Sequence, residues 1–140
     1  MDRFQIKPYV YSETELAELY ASVGWVYYVK HPEVLKKAYA NSLCTLGAFD
    51  ADKLVGLIRC VGDGYTILFI QDLLVLPAYQ RRGIGTKLMQ SLLERYQNVY
   101  QIELATDDTE KTISFYKSLG FAPLRELACC GFLKNGNPPL

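Results

Sequence analysis

The chain has 140 residues, half of them hydrophobic, so it can bury the core of one domain. Its 15 Lys and Arg balance 15 Asp and Glu, with a single His, which gives no electrostatic footprint for nucleic acid or an anionic membrane. No apolar segment is long enough to cross a bilayer, and Met1-Asp2-Arg3-Phe4-Gln5 lacks the order of a signal peptide, so the expected compartment is the cytosol.

In chain order, Phe4-Gln5-Ile6 reads as a short first strand. Ser12-Glu13-Thr14-Glu15 reads as a capping box, with Leu16, Leu19, Tyr20 and Val23 at helical spacing behind it and Gly24 as the stop. The aromatic run Trp25-Val26-Tyr27-Tyr28 follows. Pro32 suits the first turn of a second helix, which His31 would cap, with Val34, Leu35, Ala38 and Tyr39 on its apolar face. Cys44–Phe49 and Leu54–Val61 read as strands separated by a turn at Asp50-Ala51-Asp52. Gly62-Asp63-Gly64 signals another turn, and Tyr65–Leu76 reads as a central strand buried on both faces and stopped by Pro77.

A helix carrying Ile84, Leu88, Leu92 and Tyr96 comes next, then a strand at Tyr100–Thr106. Thr109–Leu119 is expected to be helical, capped by Asp108 or Thr109, with Gly120 at its left-handed end and Phe121 packed back on the last turn. Arg125–Leu133 is expected to close as one or two strands, and residues 135–140 as a frayed tail. No repeat or linker interrupts the chain, so residues 1–140 read as a single domain. Cys44, Cys60, Cys129 and Cys130 fit no zinc spacing, so no metal is expected and free apolar thiols are. On a strand, Cys129 and Cys130 would point to opposite faces.

The chemistry concentrates in Gln80-Arg81-Arg82-Gly83-Ile84-Gly85, between a buried strand and an amphipathic helix. Glycines allow a tight turn and close backbone approach, and a helix start exposes unpaired N–H groups at the positive end of its dipole. With Arg81 and Arg82 at the rim, this suits a pyrophosphate. A Walker A loop does not fit, because Lys87 follows Thr86, and a dinucleotide fingerprint would need Gly where Leu88 stands.

Val75-Leu76-Pro77-Ala78-Tyr79-Gln80-Arg81-Arg82-Gly83-Ile84-Gly85 resembles the acetyl-CoA motif of the GNAT superfamily of N-acetyltransferases, Q/R-x-x-G-x-G/A after a V-x-P-x-Y lead. Downstream, Phe115-Tyr116-Lys117-Ser118-Leu119-Gly120-Phe121 resembles the family's F/L-Y-x-x-L-G-F signature. Gly62 through Asp72 is similar to a subset of small members that includes arylalkylamine-type acetyltransferases. The resemblance implies a mixed α/β fold: a mostly antiparallel sheet with a splayed parallel strand pair, flanked by about four helices. It also implies an acetyl-CoA-dependent transfer to a primary amine of a small molecule or peptide by direct attack in a ternary complex. The alternative is a non-catalytic acyl-CoA-binding module. Pairing into a homodimer through late strands is a further implication, with Ala128–Phe132 apolar enough for a core or an interface.

Carried onto this chain, the resemblance puts the pyrophosphate on Gln80, Arg81, Arg82, Gly83, Ile84, Gly85 and Thr86. The pantetheine arm pairs with Leu73, Leu74 and Val75 where the two parallel strands separate, and a freed N–H near Leu74 polarises the thioester carbonyl. Tyr116 stands where the family often places a proton donor to the leaving sulfur; otherwise it is an apolar helix residue whose hydroxyl finds a partner. Asp72 is the first candidate base, desolvation raising its pKa, or else a structural partner to a backbone N–H or to Arg59. Glu103 is the second candidate, and a water chain would dispense with either. Many members carry Asn and Ala where Thr109 and Thr112 stand, so Thr109 would keep only part of a cofactor contact. Trp25, Tyr27, Tyr28 and Tyr39 line an acceptor pocket or pack in the core.

Overall fold

The computed structural model describes residues 3–136, in two compact units that meet in sequence between Leu104 and Ala105. The expectations for Met1, Asp2 and residues 137–140 lie outside the described residues.

The first unit is a five-stranded sheet in the order β1 (Phe4–Pro8), β2 (Cys44–Asp50), β3 (Lys53–Gly62), β4 (Ile67–Val75), β5 (Gln101–Leu104). Neighbours are antiparallel except β4 and β5, whose parallel pairing needs a crossover. Helix α4 (Ile84–Arg95) supplies it, burying Ile84, Leu88, Met89 and Leu92 on one stripe. The most buried strand is β3, where Leu54 through Cys60 are all covered, and not β4, which alternates buried and half-exposed residues. This corrects the reading of Tyr65–Leu76 as a strand covered on both faces. Strong apolar content does not by itself distinguish a strand covered on both faces from one that is half covered.

Three helices precede the sheet's second strand. The first, α1 (Glu13–Ser22), is capped by Ser12 Oγ, which accepts from the Glu15 N–H at 3.4 Å. Only half of the capping box forms, because the Glu15 carboxylate accepts the Tyr9 hydroxyl at 3.0 Å instead. The aromatic run folds into a short helix, α2 (Val26–Lys30), which the sequence does not announce: it buries nothing and has no side-chain cap. The third, α3 (Pro32–Ala40), starts at Pro32 as expected and buries Leu35 and Tyr39. His31 stands at its N-cap position without capping it; the ring Nδ1–H donates to the Tyr27 carbonyl at 2.9 Å and the two rings stack.

In the second unit, α5 (Glu110–Ser118) is capped by Thr109. Its end explains the F-Y-x-x-L-G-F signature. Gly120 has φ +94°, its N–H donates to Lys117 O at 3.0 Å, and the Phe121 N–H donates to Tyr116 O at 3.1 Å. That bond pair brings the Phe121 ring against Tyr116, 6.0 Å between centroids.

The expected strands at Arg125–Leu133 are absent from the described residues. Pro123 instead opens a short 3₁₀ helix, Leu124–Leu127, that Ala128 closes in the left-handed region at φ 61°. The bonds Glu126 N–H to Pro123 O, Ala128 N–H to Arg125 O and Cys129 N–H to Leu124 O commit those donors locally and not to a ladder. Cys129 and Cys130 are therefore both exposed, whereas Cys44 and Cys60 are buried.

The turn before β4 yields a prediction. Asp63 Oδ1 accepts from the N–H groups of Tyr65 and Thr66, each at 2.7 Å, and Oδ2 accepts the Thr66 hydroxyl at 2.6 Å. The Thr66 hydroxyl, then the backbone donors, hold the carboxyl well below its usual range. A depressed folded pKa gives stability that is present above the unfolded value of about 3.9 and is lost as pH falls below it. Asp63→Ala is expected to lower Tm by a few degrees at neutral pH and to flatten the fall in Tm as pH drops from about 4 to about 2. A variant whose Tm falls as steeply as the parent's over that range in thermal scans contradicts this assignment.

Candidate functional site

Strand β4 ends at Val75, and Pro77–Tyr79 form one 3₁₀ turn leading to Gln80. The Gln80 carboxamide donates to Val75 O at 3.1 Å, tying the turn to the strand end. Two left-handed residues follow, Arg81 at φ 65° and Gly83 at φ 78°. Gly83 is the N-cap of α4 and has no side chain to cap it. The first N–H with a partner inside the helix is that of Lys87, to Gly83 O at 3.0 Å. The N–H groups of Ile84, Gly85 and Thr86 precede it and form the uncapped positive end of the helix.

Arg81 and Arg82 are exposed beside these groups. The Arg82 guanidinium lies over the Tyr79 ring, 5.2 Å from its centroid, and the Tyr79 hydroxyl donates to Asp50 Oδ2 at 2.9 Å. Asp50 also pairs with Arg3 at 3.2 Å. The side chains of Arg3, Asp50, Tyr79 and Arg82 thus brace one another. Sequence reading missed this brace because Asp50 reads only as a turn residue.

At its middle β4 breaks register. Arg59 lies opposite Asp72, but Cys60 lies opposite Ile70, so Gln71 is an extra residue, a β-bulge. Opposite residues share a face, and Arg59 and Cys60, being consecutive, face opposite ways. Ile70 therefore faces one side of the sheet and Asp72 the other. The parallel ladder with β5 stops at the same point, Ile70 opposite Leu104, and β4 runs on through Val75 without it. Among the described residues, β4 therefore has no β5 partner from Gln71 to Val75. Gln71 is exposed, and Leu73 and Val75 are half-exposed. No spacing in the sequence marks the bulge.

Asp72, 2% exposed, lies on the face covered by α1 and α3. Its Oδ2 accepts from Arg59 Nε at 2.7 Å and from the Tyr20 hydroxyl at 2.8 Å. The Tyr20 proton being committed, the Tyr39 hydroxyl donates to Tyr20 at 2.7 Å. Arg59 also donates to Ser42 Oγ at 3.2 Å, and its guanidinium lies over the Tyr39 ring. Burial pulls the Arg59 pKa down, but the Asp72 carboxylate outweighs it and holds the group above its ordinary value. Burial, then the Asp72 charge, pushes the Tyr20 phenol far up, so it stays a donor. Asp72 thus has the Arg59 partnership expected as one of its two roles.

The four aromatics divide. Tyr39 is buried in this network, Tyr28 packs edge-on against Tyr20 at 4.9 Å, and Trp25 and Tyr27 stay exposed at 40% and 38%. Glu103 is half-buried on β5 opposite Phe69. In the second unit Tyr116 is half-buried; desolvation raises its pKa, with hydrogen bonding to Thr106 opposing. Thr109 Oγ1 is engaged in capping, accepting from the Thr112 N–H at 3.2 Å and donating to Thr112 Oγ1 at 2.9 Å. No group of three or more His, Cys, Asp or Glu among the described residues could hold a metal ion, and no described helix is long and apolar enough to cross a membrane.

A sequence model of the acetyltransferase (GNAT) family matches residues 10–121, and the chain belongs to that family. A solved GNAT-family acetyltransferase from Streptococcus pneumoniae is 41% identical and superposes with a TM-score of 0.86 over 96% of this chain and 99% of its own. Among curated relatives, an uncharacterized N-acetyltransferase, ycf52-like, of Prochlorococcus marinus is 35% identical over 76% of this chain, which spans 61% of that relative's length. N-alpha-acetyltransferase 30 of Schizosaccharomyces pombe is 36% identical over 57% of the chain and 58% of its own length.

The left-handed N-cap sets a stability test. A Cβ at Gly83 would meet nothing within 4 Å, so Gly83→Ala introduces backbone strain alone. It should cost about 1–2 kcal/mol, read as a lower denaturation midpoint with an unchanged slope; an unshifted midpoint contradicts the left-handed geometry.

Proposed function

We propose that this chain is an acetyl-CoA-dependent N-acetyltransferase that passes the acetyl group directly to a primary amine held in the same complex. The observation that carries the reading is the layout of β4: one strand runs from a bulge, past an unpaired edge, into an uncapped helix start. A molecule with a pyrophosphate at one end and an amide-bearing arm fits that layout. Its phosphates take the N–H groups of Ile84 through Thr86 with Arg81 and Arg82, and its arm pairs with Leu73–Val75 as an added strand. Family membership over residues 10–121 supports both units acting as one domain. The relatives named as N-acetyltransferases support nitrogen as the acceptor.

In this reading the amine nitrogen attacks the thioester carbonyl carbon. The carbonyl oxygen gains charge, which a freed N–H near Leu74 stabilises. The C–N bond forms, the C–S bond breaks, and sulfur leaves with the electron pair. Tyr116, kept protonated by its raised pKa, gives its proton to that sulfur. The surplus proton of the amine departs through water, with Glu103 as the nearby-strand candidate to receive it. The ion pair with Arg59 supports a structural role for Asp72 over that of base. Thr109, already bonded within its cap, contributes at most a weak cofactor contact.

Thiol release from acetyl-CoA with a panel of primary amines tests the proposal. Tyr116→Phe is expected to lower kcat about 10²-fold with KM for acetyl-CoA nearly unchanged. Thermal stabilisation by acetyl-CoA without turnover of any amine would favour the binding-module alternative, and neither stabilisation nor turnover would remove both. The exposed Leu127, Phe132 and Leu133 support the proposed homodimer, and a monomer in sedimentation would remove it.

A further inference from the structure

We infer that the buried Arg59–Asp72 pair, with Tyr20 and Tyr39 behind it, is a register pin that holds the β4 bulge and thereby positions the acyl-binding edge. This deepens the proposed function and rests on it.

The two residues are the only charged side chains buried among the described residues, at 4% and 2% exposure. A buried ion pair is a poor source of stability, because desolvation of both charges offsets their attraction. Its best-attested use is to specify register. The location here fits that use. Arg59 is the last β3 residue before the register step, and Asp72 is the first β4 residue after it. Gln71, between Asp72 and Ile70, is the residue that has no opposite number.

A register that paired Gln71 with Arg59 would shift β4 from that point onward by one residue and turn Asp72 to the opposite face. Asp72 would then enter the side of the sheet occupied by Cys60, where α4 packs. That side is apolar: Cys60 is fully buried, its thiol pushed up to about 12 by burial, and Gly56 lies within 3.1 Å of Ile84 Cγ2 as measured from an added Cβ. Arg59 and the Tyr20 hydroxyl would be left buried without the carboxylate they share. Both penalties apply only to the slipped register, so the pin separates two arrangements that apolar residues would leave close in energy. Bulges cost ladder bonds and need such a reason to persist.

The network also reaches across elements. Tyr20 is on α1, Tyr39 on α3, Arg59 on β3 and Asp72 on β4. Helices α1 and α3, between which Trp25, Tyr27 and Tyr28 lie in sequence, are therefore tied to the residue adjoining the bulge. Arg59, Asp72, Tyr20 and Tyr39 act as positioning residues, one layer behind the edge of β4.

The test is the double variant Arg59→Met/Asp72→Leu, which removes both charges without leaving either alone, compared with Tyr20→Phe, which weakens the pin and keeps its packing. Amide resonances are followed in ¹H–¹⁵N spectra, with coenzyme A as the added probe. The double variant is expected to stay folded, with β1 and β2 amides unmoved. Amides of Ile58–Cys60 and Ile70–Leu74 should double or show millisecond exchange, and turnover should fall about a hundredfold, as for a misplaced reacting group. Tyr20→Phe should show the same exchange at the same amides to a smaller extent, and it decides the question if the double variant does not fold. A single unshifted set of β4 amides in whichever variant folds overturns the pin, whatever its melting temperature. A parent protein that turns over no amine would sink the functional reading but leave this amide comparison intact.

Discussion

At the centre of the sheet two opposite charges sit out of reach of water, 2.7 Å apart, at the point where β4 gains a residue that β3 does not match. The rest of the first unit is arranged around that step. Before it, β4 is a member of a regular ladder on both edges. Beyond it, β4 keeps β3 and loses β5. The edge that opens carries N–H and C=O groups that a ligand backbone can take over, and backbone groups left unpaired in such a place are costly unless something does.

The same strand then delivers its end to the turn at Gln80–Gly83 proposed to hold the phosphates. Gln80 holds the turn to Val75, Tyr79 and Asp50 brace it from the β1–β2 side, and Gly83 starts α4 without a cap. The helix is pressed on the sheet at Gly56, where a Cβ would lie 3.3 Å from Leu74 O and against Ile84 and Leu88. The distance between the bulge and the uncapped N–H groups is thus set by rigid elements, which favours an extended ligand that spans both.

Much of this was legible in the sequence because it depends on local rules. Gly83 and Gly120 stand where left-handed backbone is needed, Ser12 and Thr109 where caps are needed, and Pro32 and Pro77 where they stop or start an element. The two motifs resembled one family for the same reason, since each encodes a turn geometry. What escaped notice depends on partners far away in sequence. Alternation through Gln71 looks unbroken, because even-numbered β4 residues are buried on one face before the bulge and on the other face after it. Asp72 read equally well as a base, and only Arg59 and Tyr20 distinguish the readings. Arg125–Leu133 has strand-like composition, but Pro123 and the positive φ of Ala128 close its start into a local turn.

In the proposed reading, the edge of β4 beyond Ile70 and the uncapped start of α4 hold one and the same ligand. Titration of unlabelled coenzyme A into ¹⁵N-labelled protein tests it most directly. The amides of Leu73–Val75 and those of Arg82–Thr86 should shift together along one binding curve, with a single Kd for both sets. Shifts confined to the turn, with the β4 amides unmoved at saturation, would exclude a shared ligand and leave the turn as a phosphate site alone.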